Sequence, residues 1–312
     1  MKVYHQLREF RKLPNAIVTI GSFDGVHKGH QKILKRLRDL ADAGHGETVV
    51  MTFWPHPRAV LSPSGQDFKL LSTMEEKIAL LGKSGVDHLL IIPFTKEFSA
   101  LAPDDFIHTV LIDTIGTKRL VIGHDHKFGK DRTGDFEYLK ARSGHYHFEV
   151  EEITREDVKN IGVSSSIIRD SLLKGDIKTA NEYLGRPYEL AGQVAEGRKL
   201  GRTIGFPTAN IESAESMKLV PADGVYAVLV TVKGEIHKGM MNIGQRPTVN
   251  GHRRKIEVNI FNFDRDIYRE ELVVHFIERL RDEVKFPDLE ALKNQLYKDK
   301  ELSESVLLNK TL

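Results

Sequence analysis

The chain has 312 residues, 40% of them hydrophobic and fifteen of them Phe, which is long enough for two compact domains, because single cores rarely grow beyond about 100 to 200 residues. Forty-six Lys and Arg against 44 Asp and Glu leave a formal net charge of +2, so no global field draws the protein to nucleic acid or anionic lipid and any anion site must be local. The absence of cysteine excludes disulfides, thiolate-zinc centres and cysteine nucleophiles and fits a reducing compartment; with no apolar run of signal-peptide or membrane-spanning length, a cytoplasmic protein is expected.

From Ala16 to Ile153 short β-rich runs alternate with amphipathic stretches: a strand over Ala16 to Ile20, a helix over Gln31 to Ala43, a strand over Thr48 to Phe53, a helix over Met74 to Lys83 and a strand over His88 to Ile92. A helix over Asp104 to Thr114, with Phe106, Val110 and Leu111 on one face, is followed by strands over Arg119 to Ile122 and around His147 to Ile153. This alternation predicts a Rossmann-like α/β domain, a parallel sheet covered on both faces. Two short helices follow Ser164, and Gly185 ends the second. From Tyr188 onward strand-like alternation dominates, with Lys233-Gly234 placed as a hairpin turn, and a helix from Leu289 to Leu296 follows the last strand. An all-β antiparallel barrel is expected there, with domains over 1–184 and 185–312. The chain shows no low-complexity segment and no repeat of 20 to 50 residues.

The first strand runs directly into Gly21-Ser22-Phe23-Asp24-Gly25-Val26-His27-Lys28-Gly29-His30 and then a helix. Ligands bind at such carboxyl-end turns in open α/β sheets. Gly21 and Gly25 let backbone approach a phosphate, and the amides of the opening helical turn face it with the positive end of the macrodipole. His27 and His30, three residues apart, put two imidazoles on one side of that turn, an arrangement suited to an anionic, phosphorane-like transition state. An isolated His-x-x-His is more often a pair of surface residues, and a metal pair would need third and fourth ligands that this stretch lacks. Ser164, Ser165 and Ser166 at the next helix start, with Arg169 one turn on, offer hydroxyls and a bidentate cation to phosphate oxygens. Gly123 to Lys130 superficially suggests a P-loop, but the glycines are five residues apart and Asp131 follows the lysine, so that reading is rejected.

Further on, Gly197-Arg198-Lys199-Leu200-Gly201-Arg202-Thr203-Ile204-Gly205-Phe206-Pro207-Thr208-Ala209-Asn210 is a basic glycine loop. Gly201, Arg202 and Gly205 suit a phosphate-binding concavity, and Thr208 and Asn210 offer neutral oxygens to Mg²⁺, which keeps waters and bridges nucleotide phosphates. Such a loop alone is as often a solvated hairpin.

The ten residues ending at His30 resemble the H-x-G-H signature of nucleotidyltransferases in the G-x-F-D-G-V-H-x-G-H form of bacterial FAD synthetases. Thr52-Phe53-Trp54-Pro55-His56-Pro57 resembles that family's T-F-x-P-H-P block, Val163 to Arg169 its S-S-T-x-I-R motif with Ser166 in place of Thr, and Gly123 to Gly129 its G-x-D-F-x-F-G loop with His126 in place of Phe. The basic loop is similar to the G-R-x-x-G-F-P-T-A-N signature of riboflavin kinases, joined by Leu184 to Tyr188, Asn242-Ile243-Gly244, Arg246-Pro247-Thr248 and Ile256-Glu257-Val258. The two resemblances cover nearly the whole chain. They imply a nucleotidyltransferase domain followed by a six-stranded barrel with a terminal helix, phosphorylation of riboflavin to FMN, and adenylylation of FMN to FAD, with ATP as co-substrate and Mg²⁺ in both steps.

By the same resemblance His27, His30 and Arg169 serve adenylyl transfer, and Gly21, Phe23, Asp24 and Gly25 cradle ATP. Pro55, His56, Pro57, Asp125, Phe128 and Asn242 bind flavin, and Glu257 is the general base of the kinase. Asn259, where the family has His, shares the face of Glu257 and is expected in the same cleft. The rivals are a flavin-binding regulator, a kinase with a degenerate adenylyltransferase site, and a nucleotidyltransferase with another acceptor. Retention of His27, His30, Thr208, Asn210 and Glu257 argues against the first, and the attached kinase signature against the third. The expected partners are small molecules, with neither nucleic acid nor membrane, and self-association is left open.

Overall fold

Every residue of the run Ala16–Ile20 is buried, which requires cover on both faces and places this strand at the centre of a parallel sheet. In the computed structural model, which describes residues 1–62, 68–124, 126–153, 162–197, 200–212, 215–248 and 251–312, the chain divides into two units, Met1–Ser165 and Ser166–Leu312. The first holds the strands β1 (Lys2–Tyr4), β2 (Ala16–Ile20), β3 (Glu47–Trp54), β4 (His88–Pro93), β5 (Thr117–Gly123) and β6 (Glu149–Ile153), in the order β1-β4-β3-β2-β5-β6. All of their pairings are parallel.

Alternation along the strands divides the core between the faces of the sheet. Ala16, Val18 and Ile20 join Val49, Met51, Leu120 and Ile122 in one cluster, and Ile17 joins Val50, Leu89 and Val121 in the other. Helix α1 (Lys28–Gly44) lays Leu34, Leu37, Leu40 and Ala41 on the second cluster. A short α2 (Pro57–Leu61) follows β3, and α3 (Met74–Lys83) begins at a capping box, Thr73 and Glu76 each accepting from the other's backbone amide at 3.2 and 3.0 Å. Because β2 hands on to β3 on one side while β5 and β6 lie on the other, the sheet has a switch point at the carboxyl ends of β2 and β5.

In the first unit three elements differ from the sequence reading. The helix expected over Asp104 to Thr114 is wound as a π-helix over Phe106–Ile115, closed by Gly116, whose amide reaches back five residues to the Leu111 carbonyl at 3.1 Å. Helix α4 (Phe136–Tyr146) carries no periodic apolar stripe, Leu139 being its one fully buried residue among polar and weakly helical neighbours; its cap by Asp135, which accepts from the Tyr138 amide at 3.0 Å, gave no pattern to find. Residue His147 is the left-handed cap of α4, so β6 starts at Glu149 and not at His147.

The second unit takes in α5 (Ser165–Lys174) after its first residue, then α6 (Ile177–Leu184), and continues as β7 (Tyr188–Ala195), β8 (Ala209–Glu212), β9 (Gly224–Val232), β10 (Glu235–Thr248), β11 (Gly251–Ile260) and β12 (Glu271–Arg281), then α7 (Leu289–Val306). The division at Ser165 and Ser166 lies ahead of the boundary expected after residue 184. The six strands close as an antiparallel barrel in the order β10-β11-β8-β7-β12-β9, so no strand edge is left open. Lys233 and Gly234 turn the β9–β10 hairpin with φ of 50° and 83°, as a tight primed turn demands. Asn181 on α6 fastens the barrel by donating to the Phe276 carbonyl and accepting from the Tyr188 amide, both at 2.7 Å. Helix α7 runs to Val306, past the expected Leu296, because Asp299 on its second half is buried in a bidentate pair with Arg281 at 2.8 and 2.6 Å.

Gly116 has φ of +79°, and a Cβ there would overlap the Leu13 carbonyl oxygen. Gly116→Ala is therefore expected to destabilise the first unit by at least about 1–3 kcal/mol from backbone strain alone. The check is the urea midpoint of the variant against the wild type.

Candidate functional site

The turn that leaves β2 at the switch point contains three residues with positive φ: Phe23 (47°), Gly25 (81°) and Val26 (39°). Two of these are not glycine, which is the kind of stored strain that accumulates at ligand sites. His27 ends the turn as the N-cap of α1, its Nδ1 accepting from the His30 amide at 3.3 Å. The His27 and His30 rings stack at 3.6 Å between centroids and 15° between planes, and the Phe23 ring lies 5.0 Å from His30. The two imidazoles thus share one side of the opening helical turn, as their spacing predicts. His27 is 6% exposed, and the buried Nδ1 of His30 has no hydrogen-bond partner. Burial, together with the neighbouring His27 and the Lys77 ammonium, holds the pKa of His30 well below the ordinary imidazole value of 6.5. His30 is neutral at pH 7 in the free protein, and a phosphate beside it would favour its protonated form.

The turn is fastened from beneath. Asp24, with 0% exposure, accepts from the Leu71 amide at 3.0 and 3.1 Å and the Ser72 amide at 3.1 Å, and Ser72 Oγ in turn accepts from the Gly25 amide at 3.1 Å. Lys77 of α3, 1% exposed, donates to the Ser22 carbonyl at 2.7 Å. Asp24 therefore shapes the turn and does not turn its carboxylate outward to ATP; the Gly21 amide likewise serves the sheet, donating to the Met51 carbonyl at 3.0 Å. Lys77 and Ser72 were not singled out from sequence. Lys77 carried a signal nonetheless, since it falls three residues after Met74 and four before Leu81 on the apolar face of α3, where a charge marks a special burial.

Of the remaining residues expected at this site, Pro55 and Pro57 flank His56, a buried N-cap for α2 whose Nδ1 accepts from the Arg58 amide at 3.1 Å and whose ring lies 4.6 Å from Phe68. Phe128 belongs to the core beneath the loop after β5, 5.4 Å from Phe106 and 5.9 Å from the His126 ring, which stacks on it at 21°. His126 thus takes an aromatic role in the place where the resemblance leads one to expect Phe. Asp125 lies outside the described residues. Ser164 and Ser165 close the first unit, Ser165 donating to the Asp24 carbonyl at 3.0 Å, whereas Ser166 and Arg169 stand on α5 in the second.

A second polar constellation lies in the barrel. Asn242 on β10 pairs with Glu257 on β11, and Glu257 with Asn210 on β8, so three polar residues form a row across adjacent strands. The Thr208 hydroxyl and the Lys255 ammonium both donate to Glu257 Oε1, at 3.3 and 2.6 Å. Lys255, two residues from Glu257 on the same face, was also missed from sequence, having no motif of its own. Gly201 accepts from the Phe206 and Ile204 amides at 2.8 and 3.2 Å, and a Cβ on it would overlap the Phe206 carbonyl, so only glycine fits. Gly205 has φ of +83° and, with Arg202, is exposed. A cleft of about 390 Å³ beside Thr208 is lined by Arg202, Phe263, Asp266 and Tyr268 and, on β11, by Val258 and Ile260, which alternate with Glu257 and Asn259. Asn259, two residues from Glu257 on the same strand, is 7% exposed and donates to the Pro207 carbonyl at 2.7 Å, holding the Pro207-Thr208 turn against β11.

No cluster of three His, Asp or Glu side chains that could hold a metal occurs among the described residues. Thr208 and Asn210 nonetheless fit Mg²⁺, because they offer hard neutral oxygens at the start of β8 and Mg²⁺ usually completes its shell with waters and nucleotide oxygens.

The family model for FAD synthetase matches residues 10–167, and that for riboflavin kinase matches residues 184–307. The chain is 40% identical to a bifunctional riboflavin kinase/FMN adenylyltransferase of Haemophilus influenzae over 95% of each chain. It is 34% identical to one of Escherichia coli over 96% of each. A solved structure from Streptococcus pneumoniae, described as a macrolide-efflux protein, superposes with a TM-score of 0.89 at 32% identity over 99% of each chain. That description names efflux, but no helix among the described residues is long and apolar enough to cross a membrane.

With its folded-state pKa below the unfolded value, His30 binds its proton more readily in the unfolded chain. Stability that is fully present above pH 6.5 is therefore lost as pH falls toward the folded pKa. Urea midpoints at about pH 7 and about pH 5.5 should show a loss in the wild type that is smaller in His30→Asn.

Proposed function

The chain belongs to the bifunctional riboflavin kinase/FMN adenylyltransferase family, and we propose that its two reactions are divided between the turn after β2 and the row on β8, β10 and β11. In the first reaction riboflavin and ATP give FMN and ADP; in the second FMN and ATP give FAD and pyrophosphate. The observation that carries this division is that the His27–His30 stack and the Glu257–Thr208–Asn210 row are each complete within a different unit. The functional domains are taken as 1–184 and 185–312, with the protein working in the cytoplasm on small molecules.

In the kinase, Glu257 accepts the proton of the riboflavin 5′-hydroxyl as that oxygen attacks the γ-phosphorus and ADP leaves. Thr208 and Lys255 orient its carboxylate, Gly201, Arg202 and Gly205 form the phosphate loop, and Asn242 faces the flavin from the next strand. Mg²⁺, held by Thr208 and Asn210 together with ATP, would offset phosphate charge. In the adenylyltransferase, an FMN phosphate oxygen attacks the α-phosphorus and pyrophosphate departs. His27 and His30 donate to the oxygens that gain charge, with Ser165 serving the departing phosphates and the Pro55–Pro57 segment and the loop around Phe128 framing the flavin side.

Replacing His27 or His30 with Ala should slow FMN adenylylation by roughly 10² to 10³-fold and leave riboflavin phosphorylation intact. Loss of both activities in a folded protein would refute the separation. Glu257→Gln should slow FMN formation by roughly 10² to 10⁴-fold, while supplied FMN still becomes FAD. Full kinase turnover in that variant, measured in a single-turnover assay, would show that the base lies elsewhere.

A further inference from the structure

Lys77 is the one lysine of α3 that points inward, 1% exposed, and its ammonium donates to the Ser22 carbonyl at 2.7 Å in the middle of the turn that carries His27 and His30. A buried ammonium is costly unless its position is needed. Methionine or leucine would fill the same space on this face, beside Met74 and Leu81, without that cost. The carbonyl it holds precedes Phe23, the first residue of the turn with positive φ. We infer that Lys77 is a positioning residue for adenylyl transfer: its buried charge pins the Ser22 carbonyl, keeps the turn in its strained form, and so aims the two imidazoles at the transferred phosphoryl group. The inference rests on the reading that this turn is the adenylyl-transfer site.

Burial pushes the Lys77 pKa down to about 8, against the opposing pull of Asp24. The charged groups that bear on His30 are His27 on its own turn and Lys77 on α3, with Asp24 beside Lys77 and the uncharged Phe23 ring on the remaining side. Protonated Lys77 therefore helps to keep His30 neutral until phosphate arrives, and loss of the Lys77 proton weakens the hold on Ser22.

The test is the pH dependence of kcat/KM for ATP in FMN adenylylation by the full chain, which reports ionisations of the free enzyme. The wild type should lose about tenfold per pH unit above about 8, and the kinase reaction should not share that limb. Lys77→Met should lower kcat for adenylylation by about 10²-fold, the scale of a small misplacement, with KM for FMN little changed and the alkaline limb gone. Lys77→Arg, which keeps the charge, should recover part of the rate. In Lys77→Met the imidazole resonance of His30 should titrate at higher pH than in the wild type, and in Lys77→Arg, which keeps the charge, it should return toward the wild-type value. A wild-type profile flat through pH 8, or a limb that persists in Lys77→Met, overturns the inference. If Lys77→Met does not fold, the wild-type limb is compared with the Lys77 side-chain titration by NMR, and coincidence supports the role while divergence ends it. His30→Ala separates the two levels: undiminished FAD formation there sinks the site assignment itself, whereas an inactive His30→Ala beside an unaffected Lys77→Met sinks only the role of Lys77.

Discussion

A carboxylate and an ammonium with almost no access to water, Asp24 and Lys77, hold the turn on which the first site depends. Each non-glycine residue forced to positive φ costs about 1–3 kcal/mol, and Phe23 and Val26 are both so placed within four residues. The turn persists because Asp24 receives the Leu71 and Ser72 amides, Ser72 receives the Gly25 amide, and Lys77 holds Ser22. All of these partners come from the segment that leads into α3 or from α3 itself, so the second crossover of the sheet acts as a clamp for the first. With the turn fixed, α1 starts where His27 caps it, and the stacked imidazoles follow from that start.

The barrel solves the same problem differently. Among the described residues its site has no comparable buried clamp, and it depends on register: closure of six strands sets Asn242, Glu257 and Asn210 side by side, and a one-residue slip would turn each of them to the other face. The loop ahead of β8 is fixed by close backbone packing at Gly201 and by Asn259 holding Pro207. One site therefore tolerates little change beneath a turn, and the other little change in strand pairing.

The parallel sheet and the antiparallel barrel were legible because periodicity and glycine punctuation carry them directly, whereas Glu257 and Asn242 were singled out by the family resemblance. The His27–His30 spacing led to a shared side for both rings, and strand periodicity put Glu257 and Asn259 on one face. Periodicity did not say that Asn259 would turn inward to Pro207, because a face names a direction and not a partner. Asp24 read as part of a phosphate loop, whereas its oxygens are occupied by amides 47 and 48 residues further along the chain, a separation that no local pattern encodes. The helix over Phe136–Tyr146 was invisible for want of an apolar stripe. The π-helical winding of Phe106–Ile115 could not be told from an α-helix, because both bury Phe106, Val110 and Leu111.

The central claim is that two separate sites act in sequence on one chain, with FMN as the product of one and the substrate of the other. It is tested most directly by complementation, in which His30→Ala and Glu257→Gln proteins, each shown to be folded, are incubated with riboflavin and Mg-ATP singly and mixed, and the flavins are separated by chromatography. The account predicts FMN alone from His30→Ala, no more than traces of product from Glu257→Gln, and FAD from the mixture. FAD from either variant alone at the wild-type rate, or no FAD from the mixture even when FMN is added, would contradict it.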